Sequence, residues 1–387
     1  MNVVQVHNNY RVRGGEDQVV EATVRLLRDR GVRVRTLIRD STDLQRGAIG
    51  RLRAFTSGIY SPEAYRVMSR LIREEAPSVV HIHNLYPLIS PSLLLACRRE
   101  KIPVVMSCHN SRLFCPIGLF LHNNQTCTQC IGGREYYCIL NNCRNNFFES
   151  ISYAIRNLLA RKFRLFLDNV TIFTAASSFQ KDQLVAAGLP ESKVVVIPNM
   201  IQIPEEVSDH AEGEYIAYAG RLSREKGIDT LLEAIQCNKL PVRLGGDYSQ
   251  LPEAVHLQTK HARFLGWLNR GELDNFYRQA RFMVFPSSLP EPGPLAVLEA
   301  MSHGLPVIAA RFGGNYKLVE EGVTGLLFEP RNAEDLAEKM NLLWQDKELC
   351  RRLGEGARKQ TMAEHSPDVY YDRLMSAYRQ AIEMGEA

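Results

Sequence analysis

Two glutamates, Glu291 and Glu299, bracket the start of a predicted helix late in the chain. They lie in the stretch 285–304, FPSSLPEPGPLAVLEAMSHG, in which an apolar run typical of a strand ends at Phe285 and apolar residues recur at helical spacing from Leu295. The free backbone N–H groups at a helix start, together with the positive end of the helix dipole, form an anion site. Neighbouring carboxylates accept paired hydrogen bonds from hydroxyls. The stretch therefore predicts a ligand that is part phosphate and part polyol.

The segment EPGPLAVLE, from Glu291 to Glu299, resembles the E-x7-E motif of retaining nucleotide-sugar glycosyltransferases, most closely family 4 with its GT-B fold. The resemblance implies that Glu291 orients the transferred sugar, that Glu299 holds the ribose, and that Gly293, Pro294 and Leu295 border the phosphates. Pro294 is predicted at the first helical position, where its missing N–H is no disadvantage. The alternative is a chance pair of surface glutamates, because this spacing is common.

Two cations precede this motif in the segment GRLSREKG, where Arg221 and Lys226 follow the predicted strand Tyr215–Ala219. Family 4 enzymes use an Arg and a Lys at the matching positions to hold the donor pyrophosphate, and two cations suit a leaving diphosphate. The later segment FLGW, which contains Gly266, resembles the stretch that borders the nucleobase. These residues complete a predicted donor site.

The first half of the chain alternates predicted strands and helices, among them the helix Pro62–Glu75, and the second half contains the predicted strand Val242–Gly245. Such alternation is the pattern of a doubly wound parallel sheet, whose ligands bind beyond the carboxyl ends of the strands. Gly15 belongs to a diglycine after the first strand, and in the family this loop faces the donor phosphates and the acceptor. His83 and His109 both follow predicted strands. The resemblance implies that His109 contacts the transferred sugar; a structural hydrogen bond is the alternative. The dinucleotide fingerprint G-x-G-x-x-G is missing, which argues against a dehydrogenase.

A chain of 387 residues is too long for one ordinary core and predicts two domains. The predicted fold is α/β of the GT-B type, with two Rossmann-like doubly wound domains facing across a cleft. Residues 1–204 form the acceptor-side domain, 205–367 the nucleotide-sugar domain, and 368–387 a last helix that crosses back to the first domain by analogy with GT-B enzymes.

The insert 115–143 changes character, because five cysteines crowd into a polar stretch rich in Asn and Gly. Cys127 and Cys130 have metal-ligand spacing, and Cys115 and Cys143 could complete a four-thiolate site. A subset of family 4 sequences resembles this insert. A structural zinc and plain free thiols remain equally open, and neither is catalytic.

Charge is distributed unevenly along the chain. Residues 1–200 contain 26 basic and 15 acidic residues, a formal charge of +11, while the whole chain carries +4. The segment 151–167 adds Arg156, Arg161, Lys162 and Arg164 beside bulky apolar residues, which suits an anionic membrane. The alternative is a helix packed on its domain with its charges in water. No apolar run is long enough to span a bilayer and no signal peptide is visible, so we expect a cytoplasmic protein, either free or peripheral on the inner face of the membrane.

The predicted function is a retaining glycosyltransferase that needs no metal for catalysis. No Asp-x-Asp occurs, so Arg221, Lys226 and the helix amides would hold the diphosphate. The expected partners are a UDP- or GDP-sugar and a glycan or lipid-pyrophosphate acceptor in polysaccharide biosynthesis, and no nucleic acid. The alternatives are a sugar-nucleotide epimerase or hydrolase, and a non-catalytic subunit that binds through the cysteine insert.

Overall fold

The computed structural model describes residues 1–11, 14–43, 48–123, 125–249 and 259–386. The chain divides into two compact units. Unit 1 consists of Met1–Ile197 and Tyr371–Ala387, and unit 2 consists of Pro198–Tyr370. The sequence analysis predicts boundaries between functional domains after residues 204 and 367. These functional boundaries stay predictions.

Unit 1 contains a parallel sheet and a short antiparallel hairpin. The parallel strands are β1 (Asn2–Asn9), β2 (Arg33–Asp40), β3 (Val79–Ile82), β4 (Val104–Cys108), β7 (Ile172–Ala175) and β8 (Val194–Val196), and the hairpin is β5 (Leu121–His122) with β6 (Gln125–Thr126). The order across the sheet is β2-β1-β3-β4-β7-β8. The central strands are short apolar runs buried on both faces, typical of a parallel sheet covered by helices.

The helices of unit 1 alternate with these strands. They are α1 (Gly15–Asp29), α2 (Ala48–Ile59), α3 (Pro62–Glu75), α4 (Ser92–Arg99), α5 (Tyr136–Leu140), α6 (Phe147–Lys162) and α7 (Ser178–Ala186). Helix α3 starts where the sequence predicts it, because the hydroxyl of Ser61 caps the N–H of Ala64 at 3.1 Å and Pro62 follows the cap. Helix α6 starts four residues before its predicted start at Ile151, because the side chain of Asn146 accepts from the N–H of Glu149 at 3.1 Å.

Unit 2 contains a second sheet of six parallel strands. They are β9 (Tyr215–Ala219), β10 (Val242–Gly245), β11 (Ala262–Gly266), β12 (Ala280–Phe285), β13 (Val307–Ala310) and β14 (Gly325–Phe328). The order across the sheet is β11-β10-β9-β12-β13-β14. Apolar clusters lie on both faces of the sheet, one of them beneath α8 (Ile228–Asn238) and the other beneath α10 (Leu295–Ser302).

The other helices of unit 2 complete these two layers. They are α9 (Arg270–Gln279), α11 (Asn315–Leu318), α12 (Ala333–Gln345) and α13 (Lys347–His365). Helix α10 covers the predicted apolar run from Leu295, but Pro294 is its N-cap residue, with φ −70° and ψ 117°, and not its first helical residue as expected. The difference arises because the ψ of Pro294 is still extended.

The last helix, α14 (Pro367–Glu386), runs into unit 1 from Tyr371 onward. The side chain of Tyr378 is fully buried there, and its hydroxyl accepts a hydrogen bond from Nε2 of Gln5 on β1 at 3.0 Å. The guanidinium of Arg30 lies 5.2 Å from the centre of the Tyr371 ring. The two ends of the chain therefore build one core.

Candidate functional site

The carboxyl ends of β9 and β12 mark the switch point of the unit 2 sheet. Strand β9 is the first of its unit and is hydrogen-bonded to β10 on one side and β12 on the other, the order typical of a Rossmann fold. Ligands of open α/β sheets bind at this point. The loop after β9 carries Arg221 and Lys226, and the loop after β12 carries Glu291. We call these two loops, residues 220–227 and 286–294, the unit 2 site.

Lys226 and Glu291 form an ion pair in the unit 2 site. Nζ of Lys226 lies 2.8 Å from Oε1 of Glu291, and the two side chains are 18% and 17% exposed. The hydroxyl of Ser287 donates to the same oxygen at 2.6 Å. The ammonium also lies 5.7 Å from the centre of the Phe285 ring. Glu291 is therefore held in place by a cation and a hydroxyl of its own unit.

Arg221 is paired in the same way. Its Nη2 donates to Oε1 of Glu225 at 2.9 Å, whereas its Nε is buried with no hydrogen-bond partner among the described residues. The carbonyl of Arg221 accepts from the hydroxyl of Tyr218 at 2.8 Å. Both predicted diphosphate cations thus carry a carboxylate counterion, and Arg221 keeps an unused donor.

Backbone contacts lock the two loops of the unit 2 site together. The N–H and the hydroxyl of Ser288 both lie 3.1 Å from the carbonyl oxygen of Glu225 and donate to it. Gly227 has φ +76°, and a Cβ there would collide with the carbonyl of Pro286. Only glycine tolerates both conditions, so this residue sets how closely the Lys226 loop approaches β12.

Two neighbouring glycines, Gly313 and Gly314, pack against the loop that carries Glu291. The N–H of Gly314 donates to the carbonyl of Glu291 at 3.0 Å, and a Cβ on Gly314 would lie only 2.5 Å from that oxygen. Gly313 has φ +61° and packs against Pro290. The loop that presents Glu291 is therefore built on close backbone contacts.

The start of α10 follows directly. Its first backbone N–H groups have no intrahelical partner, and among the described residues no side chain caps it. The carbonyl of Gly293 is oriented by the amide of Asn199, which donates to it at 3.1 Å. The amides of Leu295 and its two successors remain available to an anion, as the sequence predicts.

Glu299 lies in a different environment from Glu291. Its Oε2 accepts from the hydroxyl of Tyr277 at 3.2 Å, and Arg270 and Asp274 are its charged neighbours. Burial raises the pKa of Glu299 to about 6, and Arg270 and the Tyr277 hydrogen bond oppose this shift. The two glutamates of the motif share no hydrogen-bond partner in the described part of the chain.

Gly266 ends β11, at the edge of the sheet. It has φ +73°, and its carbonyl accepts from the N–H of Gly246 at 2.7 Å. The neighbouring Trp267 is 65% exposed. The geometry leaves an aromatic surface beside Gly266, and the nucleobase contact stays a prediction.

Unit 1 has its own switch point, between β1 and β3. The loop after β1 leads into α1 through Gly14, whose backbone is extended and where an added Cβ would meet nothing within 4 Å. Gly15 is the first residue of α1. The described part of the chain therefore leaves space at this helix start.

His109 follows β4 and is hydrogen-bonded to His83, which follows β3. Nε2 of His109 lies 2.9 Å from Nδ1 of His83, and the angle between the planes of the two rings is 18°. Burial lowers the pKa of both imidazoles. The two histidines predicted separately thus form one neutral pair.

Sequence reasoning missed a polar cluster beside this pair. Oε2 of Glu16 accepts from the hydroxyl of Tyr10 at 2.9 Å and from the amide of Asn110 at 3.3 Å. Oε1 of Glu16 and Nε of Arg112 are buried without a partner among the described residues. The signal was present, because Asn110 and Arg112 directly follow His109 after a strand.

The cysteine insert brings its thiols near one another. Burial, together with the neighbouring thiols of Cys115, Cys143 and Cys127, raises the pKa of Cys130 to about 12. All five cysteines of the insert are free. Across the described ranges, no three His, Cys, Asp or Glu side chains form a group that could hold a metal. The zinc prediction therefore stays a prediction.

Helix α6 corrects one expectation of the sequence. Arg156 is buried, with its guanidinium 4.0 Å from the centre of the Tyr86 ring and 4.4 Å from that of Tyr153, so it is not a solvated charge. Arg161 is paired with Glu135 at 2.6 Å. Arg164 is paired with Asp168 at 2.9 Å, so three of the four expected cations are used inside unit 1.

Within the described residues, no helix is long and apolar enough to cross a membrane. The expected peripheral attachment stays a prediction.

Two family models match the chain. The model described as Glycosyltransferase Family 4 covers residues 13–203, and the model described as Glycosyl transferases group 1 covers residues 201–360. Among curated proteins, an uncharacterized glycosyltransferase of Methanocaldococcus jannaschii is 26% identical over 336 residues, 86% of this chain and 82% of that protein. The O-antigen chain mannosyltransferase C of Escherichia coli is 27% identical over 175 residues, 44% of this chain and 47% of that protein.

Solved structures share the fold. The sucrose-phosphate synthase of Thermosynechococcus elongatus superposes with a TM-score of 0.71 at 17% identity, over 98% of both chains. HepE of Anabaena in complex with UDP gives a TM-score of 0.67 at 17% identity, over 98% of this chain and 100% of that one. These likenesses confirm the predicted fold class. With two helix-flanked parallel sheets and family matches from residue 13 to residue 360, this chain is a glycosyltransferase of the GT-B fold.

Proposed function

We propose that the chain moves a sugar from a UDP- or GDP-sugar to a hydroxyl of a glycan or lipid-linked acceptor, with retention of configuration. The proposed setting is cell-surface polysaccharide biosynthesis. The Lys226–Glu291 pair at the switch point of unit 2 supports the proposal, because a cation and the carboxylate that we propose to bind the sugar lie on adjoining loops.

In this proposal the donor diphosphate binds at the unit 2 site. Lys226, the unused Nε of Arg221 and the first amides of α10 supply positive charge from the chain itself. We propose that no divalent ion is required, because these groups neutralise the leaving diphosphate. Gly293, Pro294 and Leu295 border the phosphates, and Gly266 borders the nucleobase.

The proposed reaction is a front-side displacement. The bond from the anomeric carbon to the diphosphate oxygen breaks, and the acceptor oxygen bonds to the same face of the sugar. The acceptor proton passes to the departing phosphate oxygen. Glu291 orients the sugar ring, Glu299 accepts from the ribose hydroxyls, and His109 contacts a sugar hydroxyl. Gly15 leaves room in unit 1 for the acceptor.

Two relatives support the substrate class. HepE was solved with UDP, and the Escherichia coli relative is named for transfer of mannose to the O-antigen chain. A nucleotide-sugar donor and a polysaccharide acceptor are therefore the substrates we propose.

Unit 1 is also proposed to meet an anionic membrane. Residues 1–200, which include the first segment of unit 1, carry a formal charge of +11. Phe148 and Phe163, at the two ends of α6, are 79% and 62% exposed. An exposed aromatic side chain next to a cation, such as Phe163 beside Lys162, suits a lipid interface. A lipid-linked acceptor would be reached in that plane.

A donor screen tests the proposal. UDP- and GDP-sugars are added singly, and the midpoint of thermal unfolding is measured, since a ligand of the native state raises it by mass action. One nucleotide sugar should raise the midpoint by several degrees in the unmodified protein and in Lys359→Met, an exposed control on α13, but not in Lys226→Met.

Donor turnover is then measured with and without glycan acceptors. Turnover that requires an acceptor supports transfer. Equal turnover without an acceptor would make the protein a hydrolase or an epimerase, and the absence of any shift with all donors would contradict the donor site.

A further inference from the structure

A buried hydrogen-bond network extends from His109 into the sheet of unit 1. His109 bonds to His83, and Nε2 of His83 lies 2.8 Å from Oε1 of Gln5 on β1. The amide nitrogen of Gln5 lies 3.1 Å from Nδ1 of His81 and 3.0 Å from the hydroxyl of Tyr378. Gln5 is 1% exposed. One side chain on β1 therefore joins residues from β3, the loop after β4, and α14.

A second branch of the network leaves in the other direction. Nε2 of His81 lies 2.8 Å from the hydroxyl oxygen of Ser107, which lies 2.9 Å from that of Thr174 on β7. Thr174, at the end of this branch, bonds to neither His83 nor His109 and is separated from His83 by Ser107, His81 and Gln5. It supplies a control for the first branch.

The orientation of the Gln5 amide determines which ring nitrogen carries the proton in His83 and in His109. The amide of Gln5 is placed with its nitrogen toward Nδ1 of His81 and the hydroxyl of Tyr378, which themselves lie 2.7 Å apart, and with its oxygen toward His83. An amide oxygen only accepts, and His83 must therefore carry its proton on Nε2. Its Nδ1 is then an acceptor, and Nε2 of His109 must donate to it.

Burial keeps this branch neutral. It lowers the pKa of His83 well below its ordinary value, and the neighbouring His81, His109 and His7 lower it further. Burial also lowers the pKa of His109. Each imidazole thus carries one proton, and the position of that proton is set by its partners.

We infer that Gln5 is a positioning residue that fixes His109 in a single tautomer, with its proton on Nε2 and a bare Nδ1 lone pair. This inference rests on the proposed contact of His109 with a substrate hydroxyl. Nδ1 of His109 has no hydrogen-bond partner among the described residues and is not among their buried unpartnered atoms. His109 also lines a small cavity of about 30 Å³ beside Asn110 and Arg112, enough for one or two waters.

The consequence is a defined polarity at the site. A bare Nδ1 accepts a hydrogen bond and cannot donate one, so His109 takes a hydroxyl and rejects a carbonyl or phosphate oxygen at that position. A residue that sets the tautomer of a histidine through another side chain decides which ring nitrogen can accept a hydrogen bond, without touching the substrate itself. Gln5 acts through His83 only.

Nitrogen-15 NMR of the full chain with labelled histidines tests the inference. Two-bond correlations distinguish a proton on Nε2 from one on Nδ1, and the signals of His109 are identified by their loss in His109→Asn. We expect the Nε2–H form of His109 at neutral pH. A proton on Nδ1, or a rapidly exchanging mixture in the unmodified protein, would overturn the inference without any variant at Gln5.

Gln5→Met keeps the volume and removes the acceptor. The His109 signals should then become those of a mixture of tautomers, whereas Thr174→Val on the other branch should leave them unchanged. With the donor found by the thermal screen, Gln5→Met should lower kcat about tenfold, the loss of one hydrogen bond in the transition state, with KM within about twofold.

The outcomes separate the two proposals. An unchanged His109 spectrum in Gln5→Met, or an unchanged kcat despite a changed spectrum, rules out the role of Gln5. If the unmodified protein binds and turns over no nucleotide sugar, the proposed function fails, and the tautomer of His109 is still decided by its spectrum.

Discussion

The ammonium of Lys226 and the carboxylate of Glu291 neutralise each other across 2.8 Å, although they are the two groups proposed to hold different parts of one donor. A diphosphate that binds Lys226 must therefore compete with Glu291. The competition links donor binding to the release of Glu291 toward the sugar.

Glu291→Gln should separate these two roles. The variant frees Lys226, so UDP or GDP should bind about fivefold more tightly, on the order of 1 kcal/mol for one charge-assisted hydrogen bond. Transfer should fall about a hundredfold, because the sugar loses its orienting carboxylate. Calorimetry and turnover measure the two effects.

Glu225→Gln is the matched control for that variant. It frees Arg221 as Glu291→Gln frees Lys226, and it should tighten nucleotide binding while turnover stays within about threefold. Equal turnover in both variants would remove Glu291 from the site.

Replacement of Gly227 should cause a large loss of stability, because its backbone lies close to the carbonyl of Pro286. Gly227→Ala adds a collision with the carbonyl of Pro286 to the strain of φ +76°, so unit 2 should lose at least about 3 kcal/mol. Gly322 has φ +74° with nothing within 4 Å of an added Cβ, and Gly322→Ala should cost only about 1 kcal/mol. Chemical denaturation of the two variants checks the difference; equal losses would contradict the collision.

Glu299 predicts a pH-dependent stability. Its pKa of about 6 exceeds its ordinary value of 4.5, so the folded state binds the proton more tightly than the unfolded state. Ionised Glu299 therefore destabilises unit 2 by about 2 kcal/mol above pH 6, and the penalty disappears as the pH falls from 6 to 4.5.

Glu299→Gln should raise the unfolding midpoint at pH 8 and leave it unchanged at pH 4.5. The exposed Glu338→Gln on α12 should change neither. A stabilisation that is the same at both pH values would show that burial does not raise this pKa.

The cysteine insert predicts about one zinc per chain in anaerobically purified protein. Cys127→Ser and Cys130→Ser should each lose it, while Cys237→Ser, an exposed thiol of unit 2, should retain it. Elemental analysis decides, and less than about a tenth of an equivalent would leave these residues as free thiols. Transfer should persist in EDTA, because we propose that Lys226, Arg221 and the amides of α10 hold the diphosphate without a metal.

Membrane attachment predicts co-sedimentation with anionic vesicles that weakens with salt. Each Lys or Arg at the surface contributes on the order of 1 kcal/mol, and the Debye length falls from about 10 Å at 0.1 M to about 3 Å at 1 M salt. Because Arg161 is tied to Glu135, the informative variants are Lys162→Glu and Phe148→Ser, with Lys359→Glu in unit 2 as the control. Equal binding to neutral vesicles would contradict the role.

The fold was predictable because local signals agree with it. The bounds of α3, β9 and β10 match their predictions, since caps and turns such as Ser61–Pro62 act within a few residues. The start of α6 was missed, although Asn146 and Glu149 are spaced as a cap and its third helical residue.

The candidate site was predictable only in part. The family resemblance implied that Lys226 and Glu291 belong to one donor site, but it did not show their ion pair, which joins side chains distant in sequence. The burial of Arg156 between two tyrosines and the link from His83 to Gln5 depend in the same way on long-range packing. Such pairings follow from the tertiary structure and leave no local pattern.

The placement of α14 has a consequence for the order of synthesis. Unit 1 contains the first strands of the chain, yet Tyr378 completes its core through Gln5 and His81. All of unit 2 must be translated between Ile197 and Tyr371 before that helix exists, roughly 10 to 35 s at ordinary elongation rates. Unit 2 can therefore mature on the ribosome while residues 1–197 wait, with part of their core uncovered, until this helix has been made. Unit 1 is finished after unit 2, and it is where a nascent chain of this protein would depend most on chaperones.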